Sequence, residues 1–305
     1  MNADPESEGA SGTLPQTPEP ELELDEPTTP VPEDGIDLES AEARRHKLRR
    51  RLRRRMFQTI TEHGLIEEGD KILVAISGGK DSYTMLDLLY EAIPKSPVRF
   101  EILAFHLDQG QPGHDDRRMR AWLEAFGAPW HIHYEDTYSI VKEKVGDSGK
   151  SYCAPCSRLR RGVLYTHAER LGCNKIALGH HREDALQTLL LNLFYSGKLE
   201  AMPAAYTTND GRYRVIRPLI ECAEEDIAAQ STLTGYPILP CNLCGSQSGL
   251  KRVRVRRLIE ELEGEIPDLR RTMMAAIGNV RPSHLLDREV AEAWNRHAHE
   301  YEPRK

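Results

Sequence analysis

Apolar positions change their period along this chain, and each change marks an element. Leu48, Leu52, Met56 and Ile60 recur every four residues, which predicts a helix with one apolar stripe. From residue 71 onward, short apolar runs alternate with amphipathic stretches. Residues 71–76 (KILVAI) read as a buried strand, followed by SGGKDS and a helix through Glu91. Residues 99–107 read as a second strand, 114–126 as a helical stretch and 131–134 as a short strand. A helix follows Cys153, and a strand at 175–178 runs into GHHRED and another helix. Strands alternating with helices of this length predict an α/β fold, a parallel sheet with helices on both faces. Past Tyr236 the chain changes to PILPCNLCGSQ and then a basic helical stretch from Leu250, so a small, mostly helical C-terminal region is expected.

Charge divides the chain more sharply than its totals suggest. Residues 1–41 hold twelve acidic residues, seven prolines and no Lys or Arg. Without them the formal charge of the 305-residue chain moves from -7 to +5, so the globular part is mildly basic. Low hydrophobicity with one-sided charge cannot offset the entropy of ordering, and 1–41 is expected to be a disordered tail. Nine of the twelve positions from 44 to 55 are Lys or Arg. Such a run is either a solvated helix face or a contact to a phosphate backbone.

The most apolar charge-free stretch, residues 185–197, has 13 residues, too few for a spanning helix. The acidic N-terminus fits neither a secretory signal nor an Arg-rich transit peptide. Six cysteines in a chain of this length do not make a disulfide scaffold, so reduced thiols in a cytoplasmic protein are expected.

Three chemically loaded segments fall at the carboxyl ends of expected strands, where ligands bind in such sheets: residues 77–82, 106–109 and 179–184. In the first, Ser77, Gly78, Gly79, Lys80, Asp81 and Ser82 join a strand to a helix. The glycines let backbone amides converge on an anion, the helix N-terminus adds its positive end, and Lys80 neutralises phosphate charge. Neither a G-x-x-x-x-G-K-[ST] nor a G-x-G-x-x-G loop is present. In the third segment, Asp184 stands just inside a helix that follows His180 and His181.

Cys153 and Cys156 form one C-x-x-C pair and Cys241 and Cys244 another, with 84 residues between Cys156 and Cys241. Spacing alone leaves a long-range zinc site, a redox pair and an iron–sulfur cluster open.

The hexapeptide SGGKDS resembles the PP-loop of the ATP-pyrophosphatase superfamily, which splits ATP to AMP and pyrophosphate. Seven blocks, SGGKDSYTMLDLL, HLDQGQPG, CAPCSRLRRGVLY, IALGHHREDALQT, RPLIECAEEDI, PCNLCGSQ and VRPSHL, occur in this order. Together they resemble the TtcA family of tRNA 2-thiocytidine biosynthesis proteins over roughly residues 50–287. The resemblance implies a PP-loop, adenine nucleotide alpha hydrolase-like domain at 42–235 and a C-terminal region at 236–305. It implies ATP as co-substrate, Asp81 and Asp184 as catalytic residues with Asp184 near the phosphates and Mg²⁺, and a 4Fe–4S cluster on Cys153, Cys156 and Cys241. Cys244 is the alternative third ligand, while Cys173 and Cys222 match no ligand position and are expected to be packing residues.

The activity so implied is thiolation of C2 of cytidine 32 in the tRNA anticodon loop. A pyrimidine C2 oxygen leaves poorly, so adenylation must activate it before sulfur attacks. The implied partners are tRNA, a cysteine desulfurase supplying a persulfide, and a second copy in a homodimer, with no membrane. Arg158, Arg160 and Arg161 follow the first cysteine pair, and Lys251, Arg252 and Arg254 the second; they are the candidate tRNA contacts. Alternatives are another PP-loop enzyme (a tRNA 2-thiouridine synthase or a sulfonucleotide reductase) and a zinc-stabilised tRNA-binding module without activity.

Overall fold

The structure, a computed structural model, describes residues 38–145, 153–239 and 248–297. The expected tail lies outside them except for its last four residues, which are helical: α1 spans Leu38–Glu62. Then come β1 (Asp70–Ile76), α2 (Lys80–Ala92), β2 (Phe100–Asp108), α3 (Arg117–Phe126), β3 (Trp130–Tyr134), α4 (Thr137–Val145) and α5 (Cys153–Arg170). Next are β4 (Lys175–Ala177), α6 (Arg182–Tyr195), β5 (Ala205–Thr207), β6 (Arg214–Ile216) and α7 (Glu224–Thr234). Helices α8 (Ser248–Glu263), α9 (Leu269–Ile277) and α10 (Arg288–His297) close the chain. Among the described residues no helix is long and apolar enough to cross a membrane.

The sheet has the order β3-β2-β1-β4-β6-β5. Every neighbouring pair is parallel except β5–β6, so the expected parallel sheet gains one antiparallel edge. Successive side chains of a strand point to opposite faces, and β1 uses both. Ile72, Val74 and Ile76 join the core beneath α1 and α2, whereas Leu73 packs with Phe105, Ala168 and Ile176 on the α5 face. A strand buried on both sides needs the near-continuous apolar run that KILVAI supplies.

The stripe on α1 packs as its period requires, with Leu52 and Met56 buried and Leu48 and Ile60 against them. The arginines around it divide. Arg49 pairs with Asp87 and Glu91 of α2, Arg53 with Glu91, Arg51 with Asp226 and Arg55 with Glu221. Four members of the basic run are thus fastened to α2, α7 and the turn before it, and Tyr236 donates to Asp87 at 2.6 Å in the same cluster. Cys173 and Cys222 are buried, and burial pushes the Cys222 thiol up to about 12, as suits packing residues.

Candidate active site

On either side of β1 the connections run in opposite directions, to β2 and to β4. A doubly wound sheet opens a crevice at such a reversal, outside the strand carboxyl ends. SGGKDS leaves β1 there and GHHRED leaves β4 there, so the two motifs face one another. Gly179 is pressed against the loop: a Cβ at this position would stand 3.1 Å from both the Asp81 carbonyl carbon and the Ser82 nitrogen. Gly179→Ala is therefore expected to push the loop off its seat and lower ATP turnover about ten-fold, because small misplacements of reacting groups cost rate steeply. Steady-state kinetics of the variant checks this; unchanged turnover would show that the two segments move independently.

The loop is braced from within. The Ser77 backbone N–H donates to Ser82 Oγ at 3.2 Å, and Ser82 Oγ donates to the Gly79 carbonyl at 2.8 Å. Gly78 has φ +86°, in the left-handed region that glycine occupies without strain. Its carbonyl accepts the Leu239 N–H at 2.9 Å, and Tyr83 donates to the Pro237 carbonyl at 3.0 Å. The segment entering the second cysteine pair is thereby seated on the loop and the helix behind it.

Charge gathers around His181. Its Nε2 lies 3.7 Å from Asp81, 3.5 Å from Asp184 and 3.9 Å from Glu224, and its Nδ1 lies 3.4 Å from Glu183. Burial opposes a charge on this ring, but the four carboxylates outweigh it and raise its pKa above the ordinary histidine value. Glu183 is also buried, yet His181, Arg182 and the Glu224 backbone N–H hold its carboxyl at about 2. Lys80 Nζ bridges Asp81 at 3.1 Å and Glu224 at 3.0 Å. Asp81 Oδ1 is buried and accepts no hydrogen bond beyond these ion-pair contacts. Carboxylate oxygens turned into a crevice beside a phosphate-type loop are the donor set Mg²⁺ prefers. A second triad of possible ligands, His181, Glu183 and Glu224, overlaps this group.

His180 faces the other way. Arg217 donates to its Nδ1 at 3.3 Å and to the Pro203 carbonyl at 2.7 Å, and sits 5.1 Å from the Tyr206 ring centre. Burial and the Arg217 charge hold His180 at about 4. An unfolded histidine titrates near 6.5, so between these values only the unfolded chain takes the proton. The stability contributed is complete above about pH 6.5 and is lost as pH falls towards 4. Urea midpoints measured from pH 7 to 4.5 should decline less steeply in His180→Asn than in the parent chain. Buried His106 and His167, also shifted down, leave a residual slope. Equal slopes would contradict the burial argument.

The cysteine pair is only partly visible. Cys153 opens α5, and Cys156 Sγ stands 3.5 Å from the Gln109 side-chain oxygen in the segment after β2. Cys241 and Cys244 lie outside the described residues. Of the candidate tRNA contacts, Arg158, Arg160 and Arg161 are exposed on α5. On α8, Arg252 reaches into the crevice to Asp184 at 3.0 Å, and Lys251 sits 4.6 Å from the Tyr195 ring centre. Arg254 borders a cavity of about 510 Å³ with Phe194, Tyr195 and Arg257.

A PP-loop domain model matches residues 47–261. The tRNA-cytidine(32) 2-sulfurtransferase of Ectopseudomonas mendocina is 51% identical over 245 residues, covering 80% of this chain and 89% of that protein. The chain belongs to this family of PP-loop proteins. The Cellvibrio japonicus member is 50% identical over 250 residues, with 82% of each chain covered. Among solved structures, the U34-tRNA thiolase NcsA from Methanococcus maripaludis, with its 4Fe–4S cluster, shares the fold at TM-score 0.61 and 18% identity. It covers 86% of this chain and 91% of that one.

The sequence alone attaches no individual role to Glu224, Glu183, Gln109 or Arg217. All four lie inside motif blocks already set apart (AEED, GHHRED, HLDQGQ and RPLI), so the signal was there without a role attached to it. Arg217 is buried, and among the described residues no carboxylate lies within ion-pair distance of it.

Proposed function

We propose that this chain is an ATP-dependent tRNA-cytidine(32) 2-sulfurtransferase. The observation that carries the reading is the meeting of SGGKDS, Asp184 and Glu224 at the reversal point of the sheet, in a chain about half identical to the sulfurtransferases over most of its length. ATP binds with its phosphates over the amides from Gly78 to Ser82. Lys80 leaves its ion pairs with Asp81 and Glu224 to meet the phosphates. Asp81, Asp184 and Glu224 would hold Mg²⁺, which supplies charge neutralisation for the departing pyrophosphate. The C2 oxygen of the cytidine attacks the α-phosphorus, pyrophosphate leaves, and C2 now carries an adenylate. A sulfur nucleophile at the sulfide level adds at C2, and AMP departs with the original oxygen; sulfur that arrives as a persulfide reaches this level by taking two electrons from a thiol reductant.

Cys153, Cys156 and Cys241 would hold the 4Fe–4S cluster, with Cys244 as the alternative third ligand. When bound, the cluster supplies an iron without a side-chain ligand, an open position for incoming sulfur. Two observations support the fit. Cys156 stands beside Gln109 at the carboxyl edge of the sheet, and Leu239, two residues before Cys241, is hydrogen-bonded to the nucleotide loop. The sulfur donor is a cysteine desulfurase. Arg158, Arg160, Arg161, Lys251 and Arg254 take the anticodon-arm phosphates, and Arg252 joins them once a cation replaces it at Asp184.

Product analysis tests the ATP chemistry. Incubation with ATP and unmodified tRNA should release AMP and pyrophosphate in a tRNA-dependent manner. Release of ADP, or no cleavage of ATP, would remove the adenylation step and with it this reading.

A further inference from the structure

His131 and His133 stand two residues apart on β3, so both rings project to the same face of the sheet. It is the face that α5 covers: Phe105 and Ala168 pack there, while Trp130 and Ile132 turn to the opposite core. His167, in the last turns of α5, meets the two strand histidines. Its ring centre is 4.0 Å from that of His133 and 5.8 Å from that of His131, and one ring nitrogen from each residue lies within 4.8 Å of the others. His167 is buried, whereas His131 and His133 are part-exposed, so the cluster has a floor and an open side.

We propose that His131, His133 and His167 form a binding site for a divalent transition-metal cation of the zinc type. Three imidazoles with an open side match the three-histidine coordination that leaves a fourth position to water. Bonds of about 2.0–2.1 Å require the nitrogens to close by roughly an ångström, which ring rotation supplies. The rings have no other strong partner: among the described residues, the polar contact they make is that of His133 Nε2 with the Glu135 carboxylate, 3.4 Å away. A carboxylate behind a ligating histidine orients the ring and raises its basicity. Neutral imidazole suits zinc, nickel and copper better than magnesium or calcium. Eleven residues of helix separate His167 from Cys156, roughly 16 Å of axial rise, which makes this a site apart from the cysteines.

Metal counting tests the proposal on the full chain carrying its cluster, purified without oxygen. After equilibrium dialysis against Zn²⁺, the parent chain should hold one zinc more than His131→Ala or His133→Ala, both changes at part-exposed positions. Glu135→Gln should retain the ion with about ten-fold weaker affinity. With Co²⁺ as probe, the additional ion should give visible ligand-field bands that vanish in both histidine variants, without a thiolate charge-transfer band. Equal zinc content in the parent and histidine variants would overturn the proposal. So would a cobalt spectrum of thiolate character that survives loss of the histidines.

Discussion

Replacing Asp81 by alanine is expected to lower tRNA thiolation at least about 100-fold, the scale on which preorganised charge contributes to catalysis, while iron and sulfide per chain stay unchanged. Asp81 lies 3.1 Å from Lys80 and 3.7 Å from His181, on the crevice side of the loop. Its carboxylate therefore positions Lys80 and would share the cation. The cysteines stand on other connections: Cys156 is on α5, beside Gln109 after β2. The bond from Leu239 to the loop runs to Gly78 and leaves Asp81 free of it. Anaerobic iron and sulfide analysis beside a thiolation assay checks both halves of the expectation. Loss of iron in the variant would mean that loop and cluster fold as one unit, and the division of roles would fail.

The four cysteine-to-alanine variants are expected to split three to one. Removing Cys153, Cys156 or Cys241 deletes a cluster thiolate, so cluster content and 2-thiocytidine should disappear together, whereas a cluster kept in Cys241→Ala and lost in Cys244→Ala would make Cys244 the third ligand. Cys244→Ala should keep both, because the remaining iron must stay open to incoming sulfur rather than to a protein thiolate. Iron and labile sulfide per chain after anaerobic reconstitution, with nucleoside analysis of tRNA from complemented cells, distinguish the outcomes. Loss of cluster in all four would describe a closed site with four thiolate ligands and no iron for sulfur.

Elements with strong local patterns were legible in the sequence. KILVAI could only be a strand buried on both faces, and the four-residue stripe from Leu48 to Ile60 could only face a core. Strands β5 and β6 were not legible: each has three residues, like β4, but neither runs into a loaded segment such as GHHRED, and each exists through pairing across the sheet. Helix α4 escaped because TYSIVKEKV carries too short an apolar pattern to stand out. The basic run shows where local reading ends. Whether Arg49 is solvated or anchored depends on Asp87 and Glu91, some forty residues away, and the structure anchors it. At the site the same limit applied. SGGKDS and Asp184 carried their chemistry in their own residue types, and the resemblance named them. Glu224 gained a role only because α7 begins where Lys80 and His181 already stand. His131 and His133 read as ordinary strand positions, and the third member of their cluster comes from α5, 34 residues on.

Nucleoside analysis of a defined tRNA tests the account most directly. Unmodified tRNA bearing cytidine at position 32 is incubated without oxygen with the cluster-loaded protein, ATP, Mg²⁺, a cysteine desulfurase, cysteine and dithiothreitol as the thiol reductant, then digested and separated by mass. The account predicts 2-thiocytidine at position 32, with one AMP formed per thiolated base and no product when ATP is omitted. Thiolation of a uridine instead, or tRNA left unmodified while ATP is consumed, would contradict it.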